Sequence, residues 1–272
     1  MSKEVFRYLR CTACGLIFLD NVPPDLGRYY VADYHSIPAD GDALERAAAA
    51  ETHKIDLVTR YATTGSLLDI GASYGAFCHL AINAGFETAA IEADEGCCAF
   101  MREHLSIDVA QAFDVAAELR RGKRHDVITL WHVLEHLERP WDVIDAIGSA
   151  LTPSGKVVIA VPNPSALQAK IMGTMWPHID APRHLFQFSL DWLKRRAQGA
   201  GLDLVDVTFT EAGGTGWNRF GWSQWLSNPF KGRYVRYAAR KAGGSIATLV
   251  APFETKGQRG ATYTAIFAKA DQ

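Results

Sequence analysis

The chain has 272 residues, 48% hydrophobic and 21% charged, which is enough apolar material to close a core without disulfides or metal, so global disorder is excluded. With 28 Lys and Arg against 30 Asp and Glu, the net charge of −2 supplies no overall pull toward nucleic acid. Five cysteines, an N-terminal MSKEVFRYLRCTAC without a signal-like apolar run, and no eighteen successive apolar residues point to a soluble, cytoplasmic protein.

Residues 1–40 form a small element built on Cys11-Thr12-Ala13-Cys14-Gly15, the apolar LIFL and the tyrosine-rich YYVADYH. Residues 41–272 are expected to form one α/β domain. Residues 41–62 carry an Ala-rich helical pattern, and Ser66 to Ile70 is a buried strand. GAFCHLAINAGF then predicts a helix, TAAIEA a strand, CCAFMREHL a helix, DVAQAF and DVITLW two strands, WDVIDAIGSAL a helix and KVVIAV a strand. Apolar strands alternating with helices signal a parallel sheet covered on both faces. SLDWLKRRAQGAGL predicts a further amphipathic helix. LDLVDVTF and TYTAIFAKA alternate with period two, as strands at a sheet's edge do, and about fifty residues separate them.

In LLDIGASYGAF, residues 67–77, a buried strand ends in Asp69 and passes through Gly71 and Gly75 into a helix, a turn whose small residues admit a ligand to the backbone. A dinucleotide fingerprint needs glycine at 71, 73 and 76, where the chain has Gly71, Ser73 and Ala76, so an NAD oxidoreductase is disfavoured. Twenty-three residues beyond Asp69 the next strand ends at Glu92, an acid placed to accept ribose hydroxyls.

The series LLDIGASYG, AIEAD, HDVITLWHVLEHLERP and LTPSGKVVIAVPN, over about residues 60–165, resembles the class I S-adenosylmethionine-dependent methyltransferases in order, spacing and residue type. DAPRHLFQFSLDWLKRRAQGAGL at 180–202 looks like the continuation in a bacterial subgroup acting on small molecules or sugars, whose relatives often carry an earlier Cys-x-x-Cys. The resemblance implies a Rossmann-like fold, a mostly parallel seven-stranded sheet with helices on both faces and an antiparallel last strand, and S-adenosylmethionine as cofactor. It places Asp69, Gly71, Ala72, Ser73 and Gly75 at the methionine and ribose, Glu92 on the ribose, Ala93 and the Phe113-Asp114 corner near the adenine, and Trp131 and His132 toward the methyl end. Ser73 departs from the glycine of many relatives. The implied activity is methyl transfer to a small molecule or carbohydrate. The competing class is a noncatalytic module binding the nucleotide or a partner.

Other motifs carry alternatives. His132, Glu135 and His136 spell H-x-x-E-H, a zinc-protease signature only if both histidines share one helix face. Cys11 and Cys14 make half of a zinc knuckle, but a closed site needs four ligands, and Cys78, Cys97 and Cys98 fall on helices, so no metal is assigned. His184 and His132 are the candidate general bases, with Asp180 and Arg183 as orienting or substrate-binding groups, while a backbone-satisfied His184 is an equal alternative. Tyr29, Tyr30 and Tyr34 read equally as a lid over the cofactor or as packing. The insertion at about 211–260 has a window, 211–241, with six basic side chains, one acid and seven aromatics, a charge of +5 that leaves −7 on the remainder. It suits a phosphate-bearing sugar nucleotide, a glycolipid or an anionic membrane, against a bland reading as a packed cap with a solvated rim; nucleic acid ranks last.

Overall fold

The computed structural model describes residues 4–30, 35–210 and 212–270. In chain order the strands and helices are β1 (Tyr8–Arg10), β2 (Ile17–Leu19), α1 (Gly41–Ala48), α2 (Thr52–Val58), β3 (Gly65–Ile70), α3 (Ala76–Asn83), β4 (Phe86–Glu92), α4 (Glu95–Leu105), β5 (Asp108–Gln111), α5 (Val115–Arg121), β6 (His125–Trp131), α6 (Pro140–Ala150), β7 (Leu151–Pro162), α7 (Leu167–Met172), β8 (Phe186–Gln187), α8 (Leu190–Gly199), β9 (Leu202–Thr208), α9 (Ala212–Ser227), α10 (Arg233–Glu254) and β10 (Thr262–Lys269). The main sheet has seven strands in the order β5-β4-β3-β6-β7-β10-β9. Its pairs from β5 through β7 are parallel and the C-terminal strand is antiparallel, the expected Rossmann-like arrangement. Strand order reverses between β3 and β6, and open α/β sheets bind ligands beyond the carboxyl ends of strands at such a point. A smaller antiparallel sheet joins β1, β2 and β8.

Contacts divide the chain into two units, one of residues 1–29, 161–193 and 207–264, the other of residues 30–160, 194–206 and 265–272. In the second, Leu67, Val127, Val158 and Ile266 from the sheet bury against Ile55, Val58 and Phe77. Ala90, Val109, Cys78, Cys98 and Met101 form another core cluster. Cys78, Cys97 and Cys98 are wholly buried, and burial pushes their thiols up, as inert packing thiols should be. The Ala-rich helix is broken by a 3-10 turn at Ala49–Glu51. Before it, Leu44 and Ala48 pack with Ala76 and Phe100; after it, Ile55 and Val58 join the sheet cluster, so the turn re-aims the chain between two faces.

In the first unit, Ala166, Met172, Trp176, Trp222 and Ala247 form the core that joins α7, α9 and α10. Its polar key is Glu254, wholly buried, which accepts from Trp222 Nε1 at 3.0 Å and Gln168 Nε2 at 2.9 Å; burial raises its pKa. Gln168 Nε2 also donates to the Asn218 carbonyl at 2.6 Å. The long insertion is thus a helical hairpin, α9 and α10. No described helix is long and apolar enough to cross a membrane.

Candidate functional site

Beyond β3 the chain turns through Gly71, Ala72, Ser73, Tyr74 and Gly75 into α3, with φ of +69°, +52° and +87° at residues 71, 73 and 75. These are left-handed conformations that a Cβ disfavours. At Gly71 the space is closed as well, because a Cβ would stand 2.5 Å from Cγ2 of Val133. Ser73 holds its conformation at a cost of about 1–2 kcal/mol, which explains the preference for glycine there. Two bonds offset that cost. Its N–H donates to Glu92 Oε2 at 2.7 Å, and its hydroxyl meets His35 Nδ1 at 2.9 Å.

Glu92 ends β4 and is 6% exposed. Its other oxygen, Oε1, accepts from the N–H groups of Ala93 at 2.7 Å and Asp94 at 2.9 Å. One carboxylate therefore ties the loop after β3 to the turn after β4. A carboxylate offers about four acceptor sites, and three are taken by backbone. Glu92 can accept one ribose hydroxyl as it stands, and a second only by exchanging a backbone bond. Asp94 caps α4 by accepting from Cys97 N at 2.8 Å, and that bond lowers its pKa.

Asp69, the penultimate residue of β3, is 2% exposed and accepts from Thr129 Oγ1 at 2.6 Å and from the Cys78 thiol at 3.8 Å. Burial pushes its pKa up to about 7, against the Thr129 bond and the Lys54 charge, which lower it. Asp114 caps α5, accepting from Ala117 N at 3.0 Å, and the neighbouring Phe113 ring is 86% exposed at the same corner.

At the end of β6, Trp131 meets Phe77 edge-on at 5.3 Å, with the Lys54 ammonium 5.4 Å from its ring centroid. Its Nε1 is buried without a hydrogen-bond partner among the described residues, an orphan donor that calls for an acceptor. His132 follows with φ +59°, its Nδ1 3.5 Å from Oε1 of the buried Glu135. Leu134–His136 is a single 3-10 turn, so the shared α-helical face that a zinc-protease motif requires does not form. Tyr30 reaches His136 Nδ1 at 3.1 Å, whereas Tyr29 bonds Glu4 at 2.5 Å in the other unit; Tyr34 lies outside the described residues.

All nine cofactor-loop candidates and His132 thus belong to one unit. The structure brings Ser73, Glu92, Ala93 and Asp94 into one bonded group, while Asp69 pairs with Ala90, two residues before Glu92. His184 belongs to the other unit. There its Nδ1 stands 3.0 Å from the His178 carbonyl and its Nε2 3.7 Å from Asp180 Oδ2, and Arg183 grips Asp180 at 2.7 and 3.0 Å. Because a carbonyl only accepts, Nδ1 is the donor to it. Lys54 and His35 sit in no motif, and only tertiary packing brings them to Trp131 and Ser73.

Cys11 and Cys14 flank the turn joining β1 to β2, where Gly15 N donates to the Cys11 carbonyl at 2.9 Å. The Cys11 thiol is lowered, first by the Cys14 backbone N–H and then by that of Ala13.

A family profile described as a methyltransferase domain matches residues 42–207. The fold is similar to that of a SAM dependent methyltransferase from Archaeoglobus fulgidus, at 19% identity and TM-score 0.57, covering 82% of this chain and 94% of that one. It is also similar to a phosphoethanolamine N-methyltransferase of Haemonchus contortus in complex with S-adenosyl-L-methionine (14%, 0.58, covering 94% and 62%). A cyclopropane synthase from Mycobacterium tuberculosis is a further structural relative (16%, 0.56, covering 80% and 84%). No curated protein matches the sequence. The profile spans more than half of the chain, including every strand-end residue described above, and the chain therefore belongs to the methyltransferase-domain family.

Proposed function

We propose that the protein transfers a methyl group from S-adenosylmethionine to a small-molecule or carbohydrate acceptor, with sugar nucleotides and glycolipids among the acceptors to test. The observation that carries this reading is the Glu92 carboxylate, which joins two strand-end loops beside three left-handed residues and keeps acceptor capacity for a ribose hydroxyl. The exposed Phe113 ring adds a stacking surface beyond β5, the strand next to β4.

When bound, the cofactor supplies an activated methyl group on a sulfonium and leaves as the neutral thioether. In this reading Gly71, Ala72, Ser73 and Gly75 give it a close backbone approach, Glu92 and Ala93 hold the ribose side, and Asp114 with Phe113 borders the adenine. Asp69 and Trp131 border the methionine end in this reading. Holding donor and acceptor in line supplies much of the rate. A hydroxyl acceptor must also lose its proton, and His184 Nε2 and His132 are the groups proposed to take it.

Calorimetric titration with S-adenosylmethionine, S-adenosylhomocysteine and NAD tests the reading. Micromolar binding of the first two, weakened in Glu92→Gln, is expected, and an acceptor screen starting from sugar nucleotides follows. Preference for NAD, or no binding by folded protein, overturns it. His184→Ala and His132→Ala are expected to lower kcat and remove the acidic limb of its pH profile, the rise in rate as the base loses its proton, while leaving cofactor affinity intact.

A further inference from the structure

Residues 212–253 contain six basic side chains and no acid, a run of 42 residues at +6 in a chain whose remainder carries −8. The next acid, Glu254, is wholly buried and bonded to Trp222 and Gln168, so it contributes nothing to the surface. The run is the α9–α10 hairpin. α10 packs on α9 along Ala239, Gly243, Ala247 and Glu254, all buried, and at Gly243 a Cβ would stand 2.6 Å from the Trp222 carbonyl. The contact is so close that the hairpin is one stiff piece.

The opposite side of α10 is apolar. At 3.6 residues per turn, Tyr234, Val235, Tyr237, Leu249 and Phe253 all fall on it, and each is between 52% and 84% exposed. Lys231, Arg233, Arg236, Arg240 and Lys241 cluster around its N-terminal half. A helix of 22 residues, about 33 Å long, thus turns outward Tyr234, Val235 and Tyr237 near its start and Leu249 and Phe253 near its end, with Lys241 between the two groups and no acid on that side, while Arg233, Arg236 and Arg240 are exposed around its N-terminal half.

Charge and shape together choose the occupant. Two copies of a +6 hairpin repel each other, so self-association does not suit it. A nucleic acid would use the cations and the tyrosines but gains little from Val235, Leu249 and Phe253. A lipid surface uses all of them, because an interfacial helix lies in the headgroup plane with its apolar side in the acyl boundary and its Lys and Arg on anionic headgroups. We propose that the α9–α10 hairpin docks the protein peripherally on an anionic membrane. This inference is independent of methyl transfer, and its test uses no cofactor.

The test is sedimentation of the full chain with phosphatidylcholine vesicles, with and without 30% phosphatidylglycerol, at about 0.1 M and 0.5 M salt. At least tenfold stronger partition onto the anionic vesicles is expected. The variant Arg236→Glu/Arg240→Glu/Lys241→Glu should lose binding by roughly a hundredfold, at about 1 kcal/mol per cation near the surface. A second variant, Leu249→Ser/Phe253→Ser, should keep binding at low salt and lose what survives at high salt. All five positions are exposed, and circular dichroism melts verify folding. Three results overturn the proposal: no binding, or equal binding to both vesicle types; a single-stranded oligonucleotide displacing the vesicles while the serine variant binds like the parent; and concentration-dependent dimers that bury Leu249.

Discussion

Replacing Glu92 by glutamine keeps the side chain's size and removes one acceptor oxygen. Whichever way the amide turns, its NH2 faces either the Ser73 N–H or the Ala93 and Asp94 pair, so a buried donor is left unmet. Hydrogen bonds to a charged group contribute about 1.5–3 kcal/mol each. Glu92→Gln should therefore weaken S-adenosylhomocysteine binding by roughly 10–100-fold, read by calorimetry, and an unchanged Kd would remove Glu92 from the site. Gly71→Ala meets both a forbidden φ and the Val133 methyl, and a loss of about 2–4 kcal/mol is expected. Adding Val133→Ala should restore only the steric part, which urea unfolding of the double variant would show. Asp69 adds a pH signature. Its folded pKa of about 7 lies above the ordinary carboxylate value of 3.8, so the folded chain keeps a proton that the unfolded chain has released. Its contribution to stability is thus largest at low pH and falls as pH rises from about 4 through about 7. Relative to Asp69→Asn, the parent's urea midpoint should drop across that window, and parallel curves would mean that Asp69 ionises normally.

Strands buried on both faces announce themselves as apolar runs, which is why the strands β3 to β7 and the Gly71–Gly75 loop are legible in the sequence, whereas the seven-residue α5 between β5 and β6 is not. The α9–α10 hairpin was not, for two physical reasons. Glycines at 213, 214, 216 and 221 argue against helix, and α10 carries apolar side chains on both its buried and its exposed side, which erases the periodicity of a one-sided helix. The contacts of His35 with Ser73 and of Lys54 with Trp131 join segments far apart in sequence and leave no local trace. The Cys11 turn is legible as a motif, but its chemistry comes from backbone. N–H groups of Cys14 and Ala13 stabilise the Cys11 thiolate, whereas Cys78, Cys97 and Cys98 are raised by burial. Iodoacetamide at neutral pH should modify Cys11 ahead of those three, as peptide mapping would reveal. Labelling of the buried set first would refute the assignment.

At the scale of the whole chain, the basic excess and the proposed cofactor contacts fall in different units, while His184 shares the unit of the basic hairpin. The basic excess sits in residues 212–253, while every proposed cofactor contact lies in the unit that holds the acidic strand ends Asp69 and Glu92. A ligand that binds only the folded state stabilises it by RT ln(1 + [L]/Kd), about 2.7 kcal/mol at a hundredfold excess over Kd. In a chain of this size each kcal/mol moves Tm by about 2–4 °C, so saturating S-adenosylhomocysteine should raise the parent's Tm by roughly 5–10 °C. At the same ligand concentration, a thirtyfold weaker Glu92→Gln should show a shift of roughly a third of that size. The triple charge reversal in α10 leaves the loop, Glu92 and Asp69 untouched and should keep the full shift. Thermal melts of the three proteins side by side thus separate the two ends of the argument. A shift lost in the α10 variant would mean that the basic hairpin takes part in cofactor binding, and a full shift in Glu92→Gln would mean that the ligand binds away from the strand ends.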